Sequence, residues 1–285
     1  MIEPDSPIPG ESIRNRRLRW MCSRVALSSL VCILLSACAP DSPDNFVLIS
    51  LDTVRRDHLS AYGYERPTSP FLDSLADDGV LFLDAFAQAT NTAPSHASMF
   101  TGLYPQTHGL LRNGYPLPAE GPLTMAELLR SHGFRTGAFI SGYTLESDIS
   151  GLNRGFEIYD DEFGDTSRDG SSTLERALAW LAGLGPEERF FLFFHVFDVH
   201  GPYVPPAEVD GLFESSEPGP KLPRIAKYQK QVSESGERIA NENFYVDRYD
   251  ELVRYQDGLV ERLLQTIDLT DTVVLITADH GETLG

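Results

Sequence analysis

A chain of 285 residues is long enough to bury a sizeable hydrophobic core, in one large domain or two small ones. Its formal net charge of −19 argues against nucleic acid as a partner, because nucleic-acid binding requires basic surface. The same negative charge would repel an anionic substrate, so a local cation would be needed to attract one.

The first 37 residues have the pattern of a bacterial signal peptide. Arginines precede an apolar run at 25–37 that is too short to span a bilayer comfortably. The run ends in Leu35-Ser36-Ala37-Cys38, which resembles the lipobox of bacterial lipoproteins. We therefore predict a signal peptide at 1–37, lipidation of Cys38 and a short tether at 38–44. An ordinary cleaved signal peptide and an uncleaved anchor are the alternatives.

These features predict a location in the cell envelope of a bacterium. The lipid on Cys38 would anchor the chain to the membrane, and the remainder would face the periplasm or the exterior. All three cysteines lie in this N-terminal segment, so the rest of the chain has no disulfide and no thiol nucleophile.

Strand and helix patterns alternate after the tether. Apolar runs predict strands at 45–51, 135–141, 189–197 and 272–277. Helical spacing and helix-stop glycines predict helices at 70–78, 95–101, 124–132, 172–184 and 249–267. A loop is predicted at 151–163, and a long insertion without periodicity at about 204–242. The alternation predicts an α/β fold with a largely parallel sheet.

The segment from Asn91 to Gly102 contains the first candidate functional residue. Pro94 suits the first turn of a helix, which would place Thr92 just ahead of the helix N-terminus. Free amide groups and the helix dipole favour an anion there, and a hydroxyl so placed could serve as a nucleophile. The alternative is that Thr92 only caps the helix.

Polar side chains follow three of the predicted strands. Asp52 comes after the first strand, His200 after the third, and Asp279-His280 after the fourth. The carboxyl ends of parallel strands share one sheet edge, so these residues predict a divalent-cation site there. A cation would lower the pKa of a coordinated hydroxyl. Alternatively, the aspartates cap turns and His280 is a core residue; for His195, inside the third strand, we favour the core interpretation.

Several segments in chain order resemble the sulfatase family of the alkaline phosphatase superfamily. The opening strand ends in Asp52, and the segment beginning at Thr92 is similar to the family's Cys/Ser-x-Pro-Ser-Arg signature. The matching segments are Asn-Phe-Val-Leu-Ile-Ser-Leu-Asp at 45–52, Arg-Asp-His-Leu at 56–59, Tyr-Gly-Tyr at 62–64, 68–76, 92–102, His-Gly-Pro-Tyr at 200–203 and Asp-His-Gly-Glu at 279–282.

The resemblance implies an alkaline phosphatase-like three-layer α/β/α sandwich with a largely parallel central sheet. It also implies roles for the matching residues. Asp52, Asp279 and His280 would bind a metal, and Thr92 would be both a metal ligand and the catalytic nucleophile. His200 would be a catalytic and substrate-binding residue, and His96 would bind substrate in place of the signature arginine.

The departures from the family pattern change the expected chemistry. Thr92 replaces the cysteine or serine that sulfatases oxidise to formylglycine, so no formylglycine is expected. Thr53 replaces a second aspartate, and the family's Gly-Lys-Trp-His segment has no counterpart. One divalent metal ion is expected: the ligand set favours Zn²⁺ or Mn²⁺, whereas the family favours Ca²⁺. Because family members continue well beyond the second metal motif, the catalytic domain at 45–285 is expected to be incomplete, truncated at its C-terminus.

These observations together predict an exported, metal-dependent sulfatase-like hydrolase. It would cleave a sulfate ester or a phosphate diester of a small molecule, glycan or lipid through Thr92. One alternative is an envelope enzyme that transfers a phosphoryl-linked headgroup. Another is a non-catalytic binding protein on the same fold.

Overall fold

The computed structural model describes residues 43–164, 166–217, 219–222 and 239–284. The predicted signal peptide, Cys38, most of the tether and the middle of the predicted insertion lie outside these residues. The strands are β1 Asn45–Leu51, β2 Arg135–Phe139, β3 Ile158–Asp160, β4 Phe190–Val196 and β5 Thr272–Thr277. The α-helices are α1 Pro70–Asp78, α2 Thr92–Thr101, α3 Pro105–His108, α4 Met125–Ser131, α5 Ser147–Ser150, α6 Gly170–Ala182 and α7 Glu242–Leu264. Among the described residues, no helix combines the length and the apolar character that crossing a membrane requires.

The five strands form one sheet in the order β3-β2-β4-β1-β5, and every pairing is parallel. In the middle of the sheet, Ile49 of β1 lies opposite Phe194 on one side and Ile276 on the other. The predicted parallel α/β sheet is therefore confirmed.

Side chains that alternate along the strands divide between two hydrophobic cores. Val47 and Ile49 pack in a cluster that includes Leu259 of α7, whereas Leu48 packs in a second cluster with Ala97 of α2. Successive strand residues point to opposite faces of a sheet, so helices cover both faces. The structure is the three-layer α/β/α sandwich that the resemblance implied.

Two sequence predictions differ most from the structure in position. The predicted loop at 151–163 contains strand β3, whose three residues are too few to produce a recognisable apolar period. The helix predicted at 249–267 begins earlier, at Glu242. Asn241 caps it by accepting a hydrogen bond from the amide of Asn243, and Tyr245 in its second turn is buried. Its first turns contain the consecutive apolar residues Phe244, Tyr245 and Val246, which show no helical spacing in the sequence.

The described first part of the insertion is irregular but attached to α7. Glu251 accepts hydrogen bonds from the amides of Gly211 and Phe213, at 2.8 and 3.3 Å. Asp247 accepts from both the amide and the hydroxyl of Ser215. Carboxylates on one helix thus satisfy backbone donors that have no strand or helix partner.

Candidate active site

Two buried carboxylates meet at the carboxyl-terminal edge of the sheet. Asp52 directly follows β1, and Asp279 comes two residues after β5. One ligand atom from each of Asp52, Asp279 and His280 lies within 4.8 Å of the others, and both aspartates are fully buried. The neighbouring parallel positions of β1 and β5 bring these side chains together.

His195 of β4 holds one oxygen of the Asp52 carboxylate. The amide of Ser141 donates to its Nδ1 at 3.3 Å, so the ring proton is on Nε2, 3.3 Å from Asp52 Oδ2. Burial, and to a smaller degree the neighbouring His96, keeps the pKa of His195 well below its usual value, so the ring is neutral. His195 is buried, as the core interpretation requires, but its contact with Asp52 was not predicted.

Asp279 is held through one oxygen only. Its Oδ1 accepts from the amide of Thr53 at 3.1 Å and from that of His280 at 2.8 Å. Ser95 on α2 donates to its backbone carbonyl at 2.6 Å. Nδ1 of His280 donates to the carbonyl of Gly281, so Nε2 is the nitrogen on the side of the site, 3.3 Å from Asp279 Oδ2 and 3.5 Å from the Thr92 hydroxyl.

The electrostatics of this group fit a cation. Oδ1 of Asp52 and Oδ2 of Asp279 are buried and accept no hydrogen bond from the described residues. Burial raises the pKa of Asp52 well above its usual value, and the charge of Asp279 raises it further, whereas a hydrogen bond from Thr92 lowers it. Two like charges in a buried site are costly unless a cation neutralises them. Two carboxylates and an imidazole are a suitable ligand set for Zn²⁺ or Mn²⁺.

Thr92 is the first residue of α2, rather than a residue just ahead of the helix. Asn91 occupies the cap position, so the alternative that Thr92 is only a cap does not hold. The amide of Ala93 donates to Asn113 Oδ1 at 2.9 Å, and that of Ser95 to the carbonyl of Asn91 at 3.1 Å. The amide of Ala93 is therefore occupied by a protein group, unlike the expected free helix terminus, whereas the bond from Ser95 is the first backbone bond of the helix itself.

Asn113 is a residue of this site that the sequence analysis missed. It lies in the turn Arg112-Asn113-Gly114, where Gly114 has a φ of +82°. In the sequence this is an ordinary turn signal, 21 residues from Thr92 with nothing that links the two. Because its Oδ1 is used by the amide of Ala93, its NH₂ group remains as a donor beside the Thr92 segment.

His96 and His200 differ in how far they agree with their predicted roles. His96 is fully buried; its Nδ1 donates to the Thr92 carbonyl at 2.7 Å, and the hydroxyl of Ser50 donates to its Nε2 at 2.8 Å. With both ring nitrogens occupied, the geometry argues against a substrate contact by His96. His200 stacks on Phe197 at 4.4 Å and donates from Nδ1 to the Gly201 carbonyl. Within the described residues, the metal-binding group does not include it, and its predicted role stays a prediction.

The parallel α/β/α sandwich, with carboxylates and an imidazole at its strand ends beside a helix-borne hydroxyl, defines an alkaline phosphatase-like protein with a candidate metal centre. The Sulfatase family model matches residues 44–285. The chain belongs to the sulfatase family.

Curated relatives are similar to this chain over part of their length. Arylsulfatase A from Bos taurus is 35% identical over 120 residues, covering 39% of this chain and 23% of the relative. The ulvan-active sulfatase from Formosa agariphila is 25% identical over 274 residues, covering 86% of this chain and 52% of the relative. The chain thus spans about half or less of these relatives.

Three solved structures share the fold, each at less than 25% identity. The phosphonate monoester hydrolase of Agrobacterium radiobacter has a TM-score of 0.63 and 21% identity, covering 85% of this chain and 63% of the other. A C-terminal periplasmic domain from Escherichia coli in complex with Zn has a TM-score of 0.62 and 17% identity, covering 86% and 66%. The soluble domain of lipooligosaccharide phosphoethanolamine transferase A from Neisseria meningitidis has a TM-score of 0.62 and 20% identity, covering 86% and 70%.

A separate titratable group lies just beyond β4. Asp198 accepts a hydrogen bond at Oδ1 from the amide of Gly170 at 3.0 Å, while its Oδ2 is shielded from solvent and has no partner among the described residues. Burial raises the pKa of Asp198 from about 3.8 to about 6. The Asp198 carboxyl binds its proton more tightly in the folded protein than in the unfolded chain. Its contribution to stability is therefore full below about pH 4 and is lost as the pH rises through about 6.

We expect Asp198→Asn to remove this pH dependence, because asparagine keeps the acceptor for Gly170 and carries no charge. Between pH 4 and 7.5, its unfolding free energy relative to wild type should rise by roughly 2 kcal/mol, after allowance for the partly exposed side chain. Urea unfolding at a series of pH values measures this difference. Asp84→Asn, at an exposed position, should show no such trend. A constant difference for Asp198→Asn at all pH values would contradict the prediction.

Proposed function

We propose that this protein is a metal-dependent ester hydrolase in which Thr92 is the nucleophile. The observation that carries the proposal is the position of the Thr92 hydroxyl, 3.5 Å from Nε2 of His280 beside two buried carboxylates with unsatisfied oxygens. The family supports ester hydrolysis, and the absence of a cysteine or serine at position 92 supports direct use of the threonine hydroxyl.

The residues of the site divide into binding and positioning groups. Asp52, Asp279 and His280 would hold the cation, which when bound lowers the pKa of a coordinated hydroxyl and offsets negative charge on the ester oxygens. His195 fixes Asp52 Oδ2, and Oδ1 accepts no hydrogen bond from the described residues. The hydroxyl of Thr92 gives its proton to water, and its oxygen bonds to sulfur or phosphorus while the bond to the leaving ester oxygen breaks and that oxygen takes a proton from water. A water molecule then attacks the same sulfur or phosphorus, breaks its bond to Thr92 Oγ1, and returns a proton to that oxygen.

The charge of the site favours a substrate with a single negative charge. Burial lowers the pKa of His96, which stands where the family has an arginine, so this ring supplies no positive charge. A sulfate monoester or a phosphate diester carries one negative charge, whereas a phosphate monoester carries close to two. The names of the curated relatives support a sulfate ester, and "ulvan-active" supports a glycan substrate. The phosphonate monoester hydrolase supports a singly charged phosphorus ester.

Turnover of three chromogenic esters tests the proposal. The full chain is assayed with added Mn²⁺ or Zn²⁺ on 4-nitrophenyl sulfate, bis(4-nitrophenyl) phosphate and 4-nitrophenyl phosphate. We expect the sulfate or the diester to have the highest kcat/KM and chelation to abolish turnover. A phosphate monoester as the best substrate would refute the charge argument, and metal binding without any turnover would favour a non-catalytic binding protein.

A headgroup transferase is the second candidate, supported by the likeness to the phosphoethanolamine transferase domain and by the threonine at position 92. The two functions differ in what accepts the group from Thr92. If an added primary alcohol takes most of the transferred group in product analysis, the chain is a transferase. If water takes it, the chain is a hydrolase.

Asn113 is expected to orient the ester, because its NH₂ group is a donor beside Thr92 while its Oδ1 is fixed by the amide of Ala93. We expect Asn113→Ala to lower kcat/KM by about 10²-fold, the usual effect of losing one donor to a charged oxygen. Asn113→Asp keeps the contact to Ala93 but adds a negative charge, so it should be at least as damaging. Steady-state kinetics measures the loss of kcat/KM for both variants. A Mn²⁺ titration should show that their metal affinity equals that of wild type. If Asn113→Asp is as active as wild type, Asn113 does not orient the ester.

We also propose that the chain is anchored to a bacterial envelope membrane through lipid on Cys38. The basic residues, the short apolar run and Leu35-Ser36-Ala37-Cys38 support this location. Cys38→Ala should move the protein from the membrane fraction to the soluble fraction of expressing cells. Retention of the variant in the membrane fraction would contradict the anchor.

A further inference from the structure

The turn that follows β1 has a backbone conformation that its sequence does not favour. Thr53 has a φ of +59°, and among the described residues it is the one non-glycine residue in the left-handed region. A β-branched side chain is disfavoured there, so contacts from elsewhere must hold this conformation. Thr53 stands directly between Asp52 and the rest of the turn.

A single buried hydroxyl from α7 spans this turn. Tyr249 Oη donates to the carbonyl of Thr53 at 2.8 Å and accepts from the amide of Arg55 at 2.7 Å. The Tyr249 side chain is fully buried, and its ring packs edge-on against His58 and Tyr203. Because the ring is fixed on both sides, the hydroxyl is held at one position beneath the turn.

The same turn is connected to the second carboxylate of the site. The amide of Thr53 donates to Asp279 Oδ1 at 3.1 Å, and the guanidinium of Arg55 donates to the carbonyl of Glu282 at 3.2 Å. The turn therefore carries Asp52 at its start and holds Asp279 by hydrogen bond. Two like-charged side chains would otherwise separate, so their spacing depends on the turn.

We propose that Tyr249 is a positioning residue for the metal centre: by holding Thr53 in its left-handed conformation, it sets the spacing of the Asp52 and Asp279 carboxylates. The inference rests on the metal centre of the proposed function. Removing the Tyr249 hydroxyl leaves a carbonyl and an amide without a partner in the protein interior. Thr53 then relaxes toward negative φ, and its amide moves away from Asp279.

Manganese affinity separates this role from general packing. The full chain is titrated with MnCl₂ alone in a calorimeter, so the measurement needs no substrate. We expect Tyr249→Phe to bind Mn²⁺ about tenfold more weakly than wild type, the usual effect of losing a group that supports a metal ligand. Tyr245→Phe is the matched control, because Tyr245 lies on the same helix, is also buried and also packs against Tyr203. Its hydroxyl donates to the carbonyl of Ile239, so its affinity should stay within about twofold of wild type.

Thr53→Gly provides a second, independent measurement. Glycine adopts a positive φ without steric strain, so a turn with glycine at position 53 needs less support from Tyr249. We expect Tyr249→Phe to weaken Mn²⁺ binding less in the Thr53→Gly background than in the wild-type background, a coupling that a double-mutant cycle measures.

Three outcomes would overturn the inference. Tyr249→Phe binding Mn²⁺ as tightly as wild type removes the role of the hydroxyl. If Tyr249→Phe and Tyr245→Phe lose the same Mn²⁺ affinity, the effect comes from helix packing. If Tyr249→Phe loses the same affinity with threonine and with glycine at position 53, the hydroxyl does not act through Thr53. Failure of the proposed function gives a different result, since wild type would then bind no metal, or would bind it equally well after Asp52→Asn.

Discussion

We expect Thr92→Ala to lower kcat by at least about 10³-fold on whichever ester the wild-type protein turns over, because the attacking oxygen is lost. The fold should persist, since the contacts of the Thr92 side chain are with the site residues His280, at 3.5 Å, and Asp52, and alanine is a good helix former. Circular dichroism and Mn²⁺ titration should show an intact protein that still binds the metal.

Thr92→Ser is the control that separates loss of the hydroxyl from loss of the side chain. Serine keeps an oxygen at the start of α2, so this variant should retain measurable turnover and accumulate the same covalent intermediate. Mass spectrometry of the trapped intermediate locates the modified residue. Undiminished turnover by Thr92→Ala, or a covalent group on another residue, would rule out the threonine mechanism.

The second large effect is expected for the two carboxylates. Asp52→Asn and Asp279→Asn should each weaken Mn²⁺ binding by more than about 100-fold, beyond the effect of changing a supporting residue. Both variants keep the shape of the side chain. In Asp279→Asn, the remaining oxygen can still accept from Thr53 and His280, and the new NH₂ group faces His280 Nε2, which is 3.3 Å away. Calorimetric titration measures the loss.

Without metal, these variants should be no less stable than wild type. Each substitution removes one of two negative charges that lie together in a buried site with unsatisfied oxygens. Thermal unfolding in the presence of chelator should therefore give a melting temperature equal to or above that of wild type, whereas added Mn²⁺ should stabilise wild type but not these two variants. Asp84→Asn, on the surface, should behave as wild type in both conditions. Variants that keep their Mn²⁺ affinity would disprove the metal centre.

Much of the fold followed from local patterns. Continuous apolar runs at 45–51, 189–197 and 272–277 predicted buried parallel strands, and polar residues directly after them marked one sheet edge. Strand β3 could not be predicted in this way, because three residues on a sheet edge are too few for an alternating pattern to be recognised. The start of α7 was also missed, because the apolar residues of its first turns, Phe244, Tyr245 and Val246, are consecutive and show no helical spacing.

The sequence by itself determined the layered α/β fold, the edge to which Asp52 and Asp279 belong, and the presence of a short helix next to Thr92. These depend on short-range periodicity and on the rule that parallel strands end at one edge. Tertiary structure alone decided which neighbours complete the site. His195 reaches Asp52 because β4 pairs with β1, Asn113 reaches Ala93 across a turn, and Tyr249 reaches Thr53 from a helix 196 residues further along. Such contacts depend on strand order and helix packing, which leave no local signal in a single sequence.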